Sequence, residues 1–347
     1  VADRPERERI LVVRAGRGGD LVMVTPALTA LLEAFPRAEV HLLAGADGRR
    51  LLGDFHPRLT RVVAYHRRFP ARLWLERALR RDFVSQRYTR VYLFETKPFY
   101  RRWLAGVAPA LFALESADPG RHFADHCLGL VARSLDVPIA RPWVSLPVTE
   151  AGIASARALL ASRGIDDATL VVGVHATYSG IGRPAWRTAM QARDGRRHRT
   201  WPPAHFARLA VLLREEAARR GVPLAVVLDV LPEERAQVAP IAAMSEGAVT
   251  VLSEPPDFQR YKGLLRRMDV LVSPNTGPMH MGAALGTPLV ALFSRYEPSD
   301  CGPFMDPARY RVLRAEETAT PTAGLAAIGP EAVAAAVWEL AGRAPRR

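Results

Sequence analysis

Ser273-Pro274-Asn275-Thr276-Gly277-Pro278-Met279-His280 lies between two apolar runs, residues 268–272 and 289–293, and opens a helix of small residues at Met281-Gly282-Ala283-Ala284-Leu285. Strand, glycine-containing turn, helix N-terminus: this succession leaves the first backbone N–H groups of the helix without partners and points the positive end of its dipole at whatever lies in front. The anion best suited to such a place is a phosphate. A second turn of the same kind, Arg14-Ala15-Gly16-Arg17-Gly18-Gly19-Asp20, follows the apolar run 10–13 and also opens a helix. Two such turns, one in each half, predict a ligand held between two α/β domains.

The pattern around both turns is regular. Residues 10–13, 40–43, 61–64 and 91–94 read as strands, each followed by a helical stretch. In the first of these, Pro26 stands near the start, Ala27, Leu28, Leu31, Leu32 and Phe35 share one face, and Pro36 ends the helix. A second series begins at 170–174 and continues through 224–228, 249–252, 270–272 and 289–293, with helices expected over 203–220, 233–244 and 261–268. Strands alternating with helices imply parallel sheets covered on both faces. The expected division is a first domain over 1–165 and a second over 166–329, with the last helix, 330–347, packing back on the first.

A chain of 347 residues suits two domains, and 49% hydrophobic with 24% charged residues is an ordinary globular balance. No apolar run reaches the roughly 18 residues of a membrane span, and Val1-Ala2-Asp3-Arg4-Pro5-Glu6 has no apolar signal region. Cys127 and Cys301 stand far apart and form neither a metal-ligand nor a redox spacing. The expected setting is a reducing cytoplasm. Net charge is +13, and of the 48 basic residues all but Lys97 and Lys262 are arginine. An arginine-biased genome accounts for the choice of arginine but not for the excess over 35 acids, which favours an anionic membrane surface or a phosphorylated substrate. Nucleic acid is not expected, because no recognition motif and few aromatics accompany the charge.

One connection breaks the pattern. From Thr177 to Pro202 the chain carries Arg183, Arg187, Arg193, Arg196, Arg197 and Arg199 against a single acid, Asp194. Connections in α/β units are usually about 2–6 residues long. Two readings are open here: a solvated insertion, and a basic flap over an anionic ligand.

Four patches, in order along the chain, resemble the ADP-heptose heptosyltransferases that build lipopolysaccharide core, glycosyltransferase family 9. They are the strand 10–14 with Gly19-Asp20 and Thr25-Pro26-Ala27-Leu28; Arg199-Thr200-Trp201-Pro202-Pro203-Ala204-His205-Phe206; Pro232-Glu233-Glu234-Arg235; and Asn275-Thr276-Gly277-Pro278-Met279-His280 with Ala283-Ala284-Leu285-Gly286-Thr287-Pro288. The resemblance implies an α/β GT-B fold, two Rossmann-like doubly wound domains facing a cleft. The first would bind a lipopolysaccharide-core, lipid-linked or other glycan acceptor, and the second a nucleotide-sugar donor such as ADP-heptose. It also implies inversion at the anomeric carbon with no metal and no cofactor beyond the donor. In keeping with that, the chain has no Asp-x-Asp pair, the usual clamp for a metal–diphosphate complex. The enzyme would be cytoplasmic and peripheral on the inner membrane. Two alternatives stand beside it: a nucleotide-sugar epimerase of the same fold, and a catalytically silent nucleotide-sugar-binding protein.

On that resemblance Asp20 is the general base for the acceptor hydroxyl, with Gly18 and Gly19 beside it in the acceptor cleft; as a residue alone, Asp at a helix mouth is equally a cap. Gly16-Arg17-Gly18-Gly19 is only a partial dinucleotide fingerprint, since Leu21 stands at the third glycine position. Arg199 takes the place of a family lysine on the donor diphosphate, and Thr276, Gly277 and Met279 offer N–H groups that Pro278 cannot. His280 either donates to the leaving phosphate or is a buried structural histidine. Asn275 departs from the family aspartate. Glu233 or Glu234 binds ribose hydroxyls, although Leu228-Asp229-Val230-Leu231 lacks the family's glycines. Trp201 reads as a packing anchor, and His41, His122 and His126 have no assigned role.

Overall fold

The computed structural model describes residues 8–65, 71–116, 118–136, 139–177 and 200–342. Arg199 and the connection 178–199 lie outside them. The chain divides into two compact units, Val1–Pro147 and Val148–Arg347.

The first unit runs β1 (Arg9–Arg14), α1 (Gly18–Val22), α2 (Thr25–Ala34), β2 (Glu39–Ala44), α3 (Gly48–Leu52), β3 (Leu59–Ala64), α4 (Ala71–Ser85), β4 (Arg90–Leu93), α5 (Pro98–Leu104), β5 (Ala110–Ala113) and α6 (Phe123–Leu135). Its five strands are parallel in the order β3-β2-β1-β4-β5. Side chains alternate across the sheet. Leu11, Val13, Leu43, Val91 and Leu93 pack on Leu79 and Phe83 of α4 and Tyr100 and Leu104 of α5. The other face takes α2 and α6, and there the Tyr92 hydroxyl meets Ser134 Oγ at 2.8 Å. Helices on both faces explain why these strands read as continuous apolar runs.

The second unit runs α7 (Glu150–Ala161), β6 (Leu170–Val174), α8 (Pro203–Arg220), β7 (Leu224–Asp229), α9 (Arg235–Met244), β8 (Val249–Leu252), α10 (Phe258–Arg267), β9 (Val270–Pro274), α11 (Gly277–Ala284), β10 (Leu289–Phe293), α12 (Pro298–Cys301), β11 (Tyr310–Arg314) and α13 (Pro330–Ala341). Among the described residues its sheet has six strands, parallel in the order β11-β10-β9-β6-β7-β8. Counted from its own first strand, the first sheet follows the doubly wound order 3-2-1-4-5 and the second 3-2-1-4-5-6, with the winding reversing between β1 and β4 in one and between β6 and β9 in the other.

The division falls at Pro147/Val148, before the expected 165/166. The cause is α7, which packs on α10 at near-backbone contact: a Cβ on Gly263 would stand 2.4 Å from the Gly152 carbonyl oxygen, and one on Gly152 would stand 2.5 Å from that of Gln259. Only glycine lets the two helices approach so closely. The expected return of the last helix to the first domain is also corrected. Val333, Val337 and Leu340 of α13 are buried with Val272 and Leu292 in the core of the second unit. Among the described residues no single helix is long and apolar enough to cross a membrane; the apolar bent pair Pro321–Ala327 and Pro330–Ala341 closes this same core.

Two edge strands, β5 and β11, carry no clear sequence signal, because they are half-buried and β11 alternates with Arg311 and Arg314. The helix expected over 233–244 is a 3-10 turn, Pro232–Glu234, leading into α9. The one expected from 261 starts three residues earlier, where the Asp257 carboxylate accepts the N–H groups of Gln259 and Arg260.

Candidate active site

In doubly wound sheets ligands bind beyond the strand C-termini where the winding reverses. In the first unit that place holds the turn after β1 and the residues after β4. Asp20 stands there on α1 with a side chain 35% exposed. Its Oδ2 accepts the Arg17 N–H at 2.8 Å and its Oδ1 accepts Arg14 Nη2 at 2.9 Å. It therefore does cap the turn, yet the remaining lone pairs of both oxygens stay open to a third donor.

Arg14 fixes that carboxylate from behind. Its Nη1 donates to the Phe94 carbonyl at 2.9 Å and lies 3.7 Å from Glu95 Oε1, while its guanidinium stacks 4.2 Å from the centre of the Phe123 ring. Glu95, itself buried, also accepts the Ala15 N–H at 2.8 Å. The turn is thus tied across β1 and β4 by one buried carboxylate and one guanidinium fork. Gly16 is required by the same arrangement: a Cβ there would stand 2.4 Å from Asp20 Cβ and 2.6 Å from Oδ2. Gly18 is held closely as well, since a Cβ on it would come within 3.2 Å of Leu51 Cδ1. Gly19, between Gly18 and Asp20, is the second residue of α1.

In the second unit the winding reverses between β6 and β9, where the His175 N–H donates to the Val272 carbonyl at 2.9 Å. The 273–280 turn leaves β9 here and enters α11 with Thr276 as its N-cap. The Thr276 hydroxyl is turned back on the strand, 3.2 Å from both Ser273 Oγ and the Pro274 carbonyl, so it does not cap the helix. The N–H groups of Thr276, Gly277 and Met279 remain at the open end, as the first turn of any helix leaves them. The Met279 side chain is buried, and so is that of His280. Asn275 donates through Nδ2 to Cys301 Sγ at 3.4 Å, an anchoring contact.

The two glutamates separate. Glu233 is exposed, whereas Glu234 Oε2 accepts the Leu231 N–H at 3.2 Å and the Thr177 hydroxyl at 3.4 Å. Glu234 is therefore the oriented carboxylate beside the end of β6. Trp201 is a core anchor, fully buried, with its indole N–H on the Ile328 carbonyl at 2.9 Å and its ring edge-on to Phe206. His41, His122 and His126 are accounted for by the first unit's own structure: His41 bonds the Tyr88 hydroxyl, His122 caps α6 and His126 bonds the Asp118 backbone.

Sequence reasoning missed four groups in these places. Arg14 and Glu95 close the first turn, and each is a polar residue at the end of an apolar strand run, which is the signal that could have marked them. His175 and Asp229 stand at the ends of β6 and β7. Burial pushes the His175 imidazole down to about 4, and among the described residues its Nε2 is buried without a partner. Burial pushes the Asp229 carboxyl up to about 7; Arg260 opposes the shift, while Glu254 and Glu234 add to it.

The family model of glycosyltransferase family 9 (heptosyltransferase) matches residues 110–325, more than half of the chain. The chain belongs to glycosyltransferase family 9. It is a nucleotide-sugar glycosyltransferase, and the matched residues take in the whole 273–280 turn while the first turn precedes them. Solved structures share the fold of this family 9 chain along nearly its full length. The glycosyl transferase family 9 protein of Veillonella parvula superposes with a TM-score of 0.78 at 19% identity, over 97% of this chain and 98% of its own. ADP-heptose lps heptosyltransferase II of E. coli gives 0.70 at 20% identity, over 96% and 99%. E. coli heptosyltransferase WaaC, solved with ADP, gives 0.68 at 18% identity, over 96% and 99%. The fold is accordingly GT-B. No curated protein matches the sequence.

Proposed function

We propose that this family 9 chain transfers a heptose or related sugar from an ADP-heptose-like donor to a hydroxyl of a lipopolysaccharide-core or other lipid-linked glycan, in a single inverting displacement with Asp20 as general base. The observation that carries the reading is the Asp20 carboxylate, aimed by Arg14 and the Arg17 N–H and still a third exposed at the reversal of the first sheet. In this reaction the acceptor oxygen attacks the anomeric carbon and the C1–phosphate bond breaks with its electrons. The acceptor proton passes to Asp20, and the nucleoside diphosphate leaves with the charge. A capping role alone needs one carboxylate oxygen; the second oxygen, fixed by a guanidinium, is what a base requires for orientation.

The leaving diphosphate is assigned to the N–H groups of Thr276, Gly277 and Met279, to the α11 dipole, and to Arg199. Glu234 is assigned to the ribose hydroxyls in preference to Glu233, on its orientation beside Thr177. Gly18 and Gly19 leave the acceptor side of Asp20 unobstructed by side chains. Asn275 and His280 are assigned to the walls of the donor turn, with Asn275 bonded to Cys301. The reaction is proposed to need no metal and no cofactor besides the donor. That rests on the charge at the helix end and on the lack of an Asp-x-Asp pair. The family match favours transfer over epimerisation or silent binding. The proposed place of work is the cytoplasmic face of a membrane, and nucleic acid is not a proposed partner.

A thermal-shift panel of ADP, GDP, UDP and their sugars tests the donor. Ligand binding raises apparent stability by mass action, so selective stabilisation by ADP and ADP-heptose is expected. Equal response to all three nucleotides, or selectivity for UDP, contradicts the donor assignment.

A further inference from the structure

Of the seven most exposed large apolar side chains among the described residues, three stand on α4: Leu73 at 47%, Trp74 at 74% and Val84 at 46%. Single exposed apolar residues are ordinary; a cluster on one helix is not. Leu73, Arg77, Arg80 and Val84 recur at helical spacing, with Trp74 and Arg81 beside them, so they share one side of the helix. The opposite side, with Glu76, Leu79 and Phe83, is buried on the sheet.

Charge on the outward side has a single sign. The two acids of α4 are both engaged elsewhere: Glu76 is buried and accepts the Tyr65 hydroxyl, and Asp82 pairs with Arg61 at 2.8 Å. Arg80 is tied to the Trp103 and Ala105 carbonyls at the end of α5. Arg77 and Arg81 are exposed and, among the described residues, make no ion pair. The placement follows from topology. All strands of the sheet are parallel, so a helix that follows a strand begins at the sheet's C-terminal edge. Leu73 and Trp74, in the first turn of α4, are at the same edge as the Asp20 turn. So is exposed Lys97, the N-cap of α5 after β4.

We propose that the outward side of α4, led by Leu73 and Trp74 and flanked by Arg77 and Arg81, docks the first unit on an anionic phospholipid bilayer. Trp and Leu enter the boundary between headgroups and acyl chains, and the arginines meet lipid phosphates. A second copy of this chain is the poorer occupant, because two cation-only faces repel. The inference rests on the proposed membrane-borne acceptor for its purpose: docking at this edge brings a lipid-anchored hydroxyl to the side of the unit where Asp20 stands.

The test is co-sedimentation with phosphatidylethanolamine vesicles with and without phosphatidylglycerol, near physiological salt. Wild-type protein is expected to partition onto the anionic vesicles only. Leu73→Ser with Trp74→Ser, and separately Arg77→Glu with Arg81→Glu, are each expected to lower that partition by roughly tenfold or more. The control pair Arg208→Glu with Arg219→Glu removes the same charge from exposed positions of the second unit and is expected to change it little. All six positions are exposed, and unchanged melting temperatures verify that the variants fold. Three results overturn the proposal: no binding by wild type, full binding by Leu73→Ser/Trp74→Ser, or a control loss equal to that of the Arg77/Arg81 pair. A wild-type dimer that Trp74→Ser dissolves, without vesicle binding, overturns it too and makes the face a contact between copies. Vesicle binding is read without any transfer reaction, so an inactive protein that still docks counts against the functional reading and not against this one.

Discussion

Gly16→Ala is the perturbation whose effect the geometry defines most closely. The added Cβ would lie 2.4 Å from Asp20 Cβ, 2.8 Å from Cγ and 2.6 Å from Oδ2. Carbon atoms rest at about 3.5–4.0 Å, so the two residues must separate by about 1 Å. Asp20 Cβ is fixed to the backbone of α1, and no rotamer change removes the contact. Gly16 is not among the residues at positive φ, so the effect is steric and not one of backbone strain. Gly16 itself has little room to move, because its carbonyl packs closely on Gly45: a Cβ on Gly45 would stand 2.0 Å from it. Asp20 therefore yields, and its 2.8 and 2.9 Å bonds to the Arg17 N–H and Arg14 lengthen. Overpacking of this kind costs about 1–3 kcal/mol of stability. Misplacing a reacting group by 1 Å costs on the order of 100-fold in rate. Initial rates at saturating donor and acceptor, with donor affinity by calorimetry, measure the two consequences apart: turnover falls on the order of 100-fold, and donor affinity is kept. Asp20→Gly added to Gly16→Ala removes the clash but also the cap on the Arg17 N–H and the partner of Arg14, so it returns neither the full stability nor the rate. A Gly16→Ala enzyme with wild-type turnover would refute the argument, since it would show that the position of Asp20 does not matter.

Other consequences follow from the same residues. Arg199→Ala is expected to weaken donor binding by roughly 1.5–3 kcal/mol, the range for a hydrogen bond to a charged group; unaltered affinity in calorimetry removes Arg199 from the diphosphate. Activity is expected to survive excess EDTA, and loss on chelation with recovery on magnesium or manganese contradicts a metal-free displacement. The pH dependence of stability should carry two opposed contributions. Asp229 has a folded pKa of about 7, above its unfolded value, so its stabilisation is complete below the unfolded pKa of about 4 and is lost as pH rises to 7. His175 has a folded pKa of about 4, below its unfolded value of 6.5, so its stabilisation is present above 6.5 and lost as pH falls to 4. Asp229→Asn is then expected to leave the histidine's rise alone, with stability by denaturant titration climbing from pH 4.5 to 6.5 more steeply than in wild type. An identical slope in the two proteins rules out the half-buried Asp229 carboxyl as a contributor.

Much of the fold was legible because its strands are buried on both faces. Runs such as Ile10-Leu11-Val12-Val13 and Leu289-Val290-Ala291-Leu292-Phe293 admit no other reading between helical stretches. The edges were not legible, since Tyr310-Arg311-Val312-Leu313-Arg314 is half wet and its arginines hide the period. The domain boundary failed for a different reason. Gly152 and Gly263 lie 111 positions apart in sequence, and nothing local says that their helices touch. At the site, backbone donors were readable from turn chemistry alone, because Gly277 and Pro278 fix where a helix begins. The carboxylates were harder. Glu233 and Glu234 are equivalent as letters, and only the contacts to Leu231 and Thr177 tell them apart. Arg14 and Glu95 act across β1 and β4, so their meeting depends on strand order, which the sequence does not state.

The most direct test of the account is the turnover of Asp20→Asn, measured alongside its donor affinity and melting temperature. Asparagine keeps the shape, can still accept the Arg17 N–H through its one oxygen while giving up the bond from Arg14, and cannot take a proton. Turnover is expected to fall by about 100-fold or more, with donor affinity and folding close to wild type. Turnover within a few-fold of wild type would reduce Asp20 to a helix cap and contradict the mechanism.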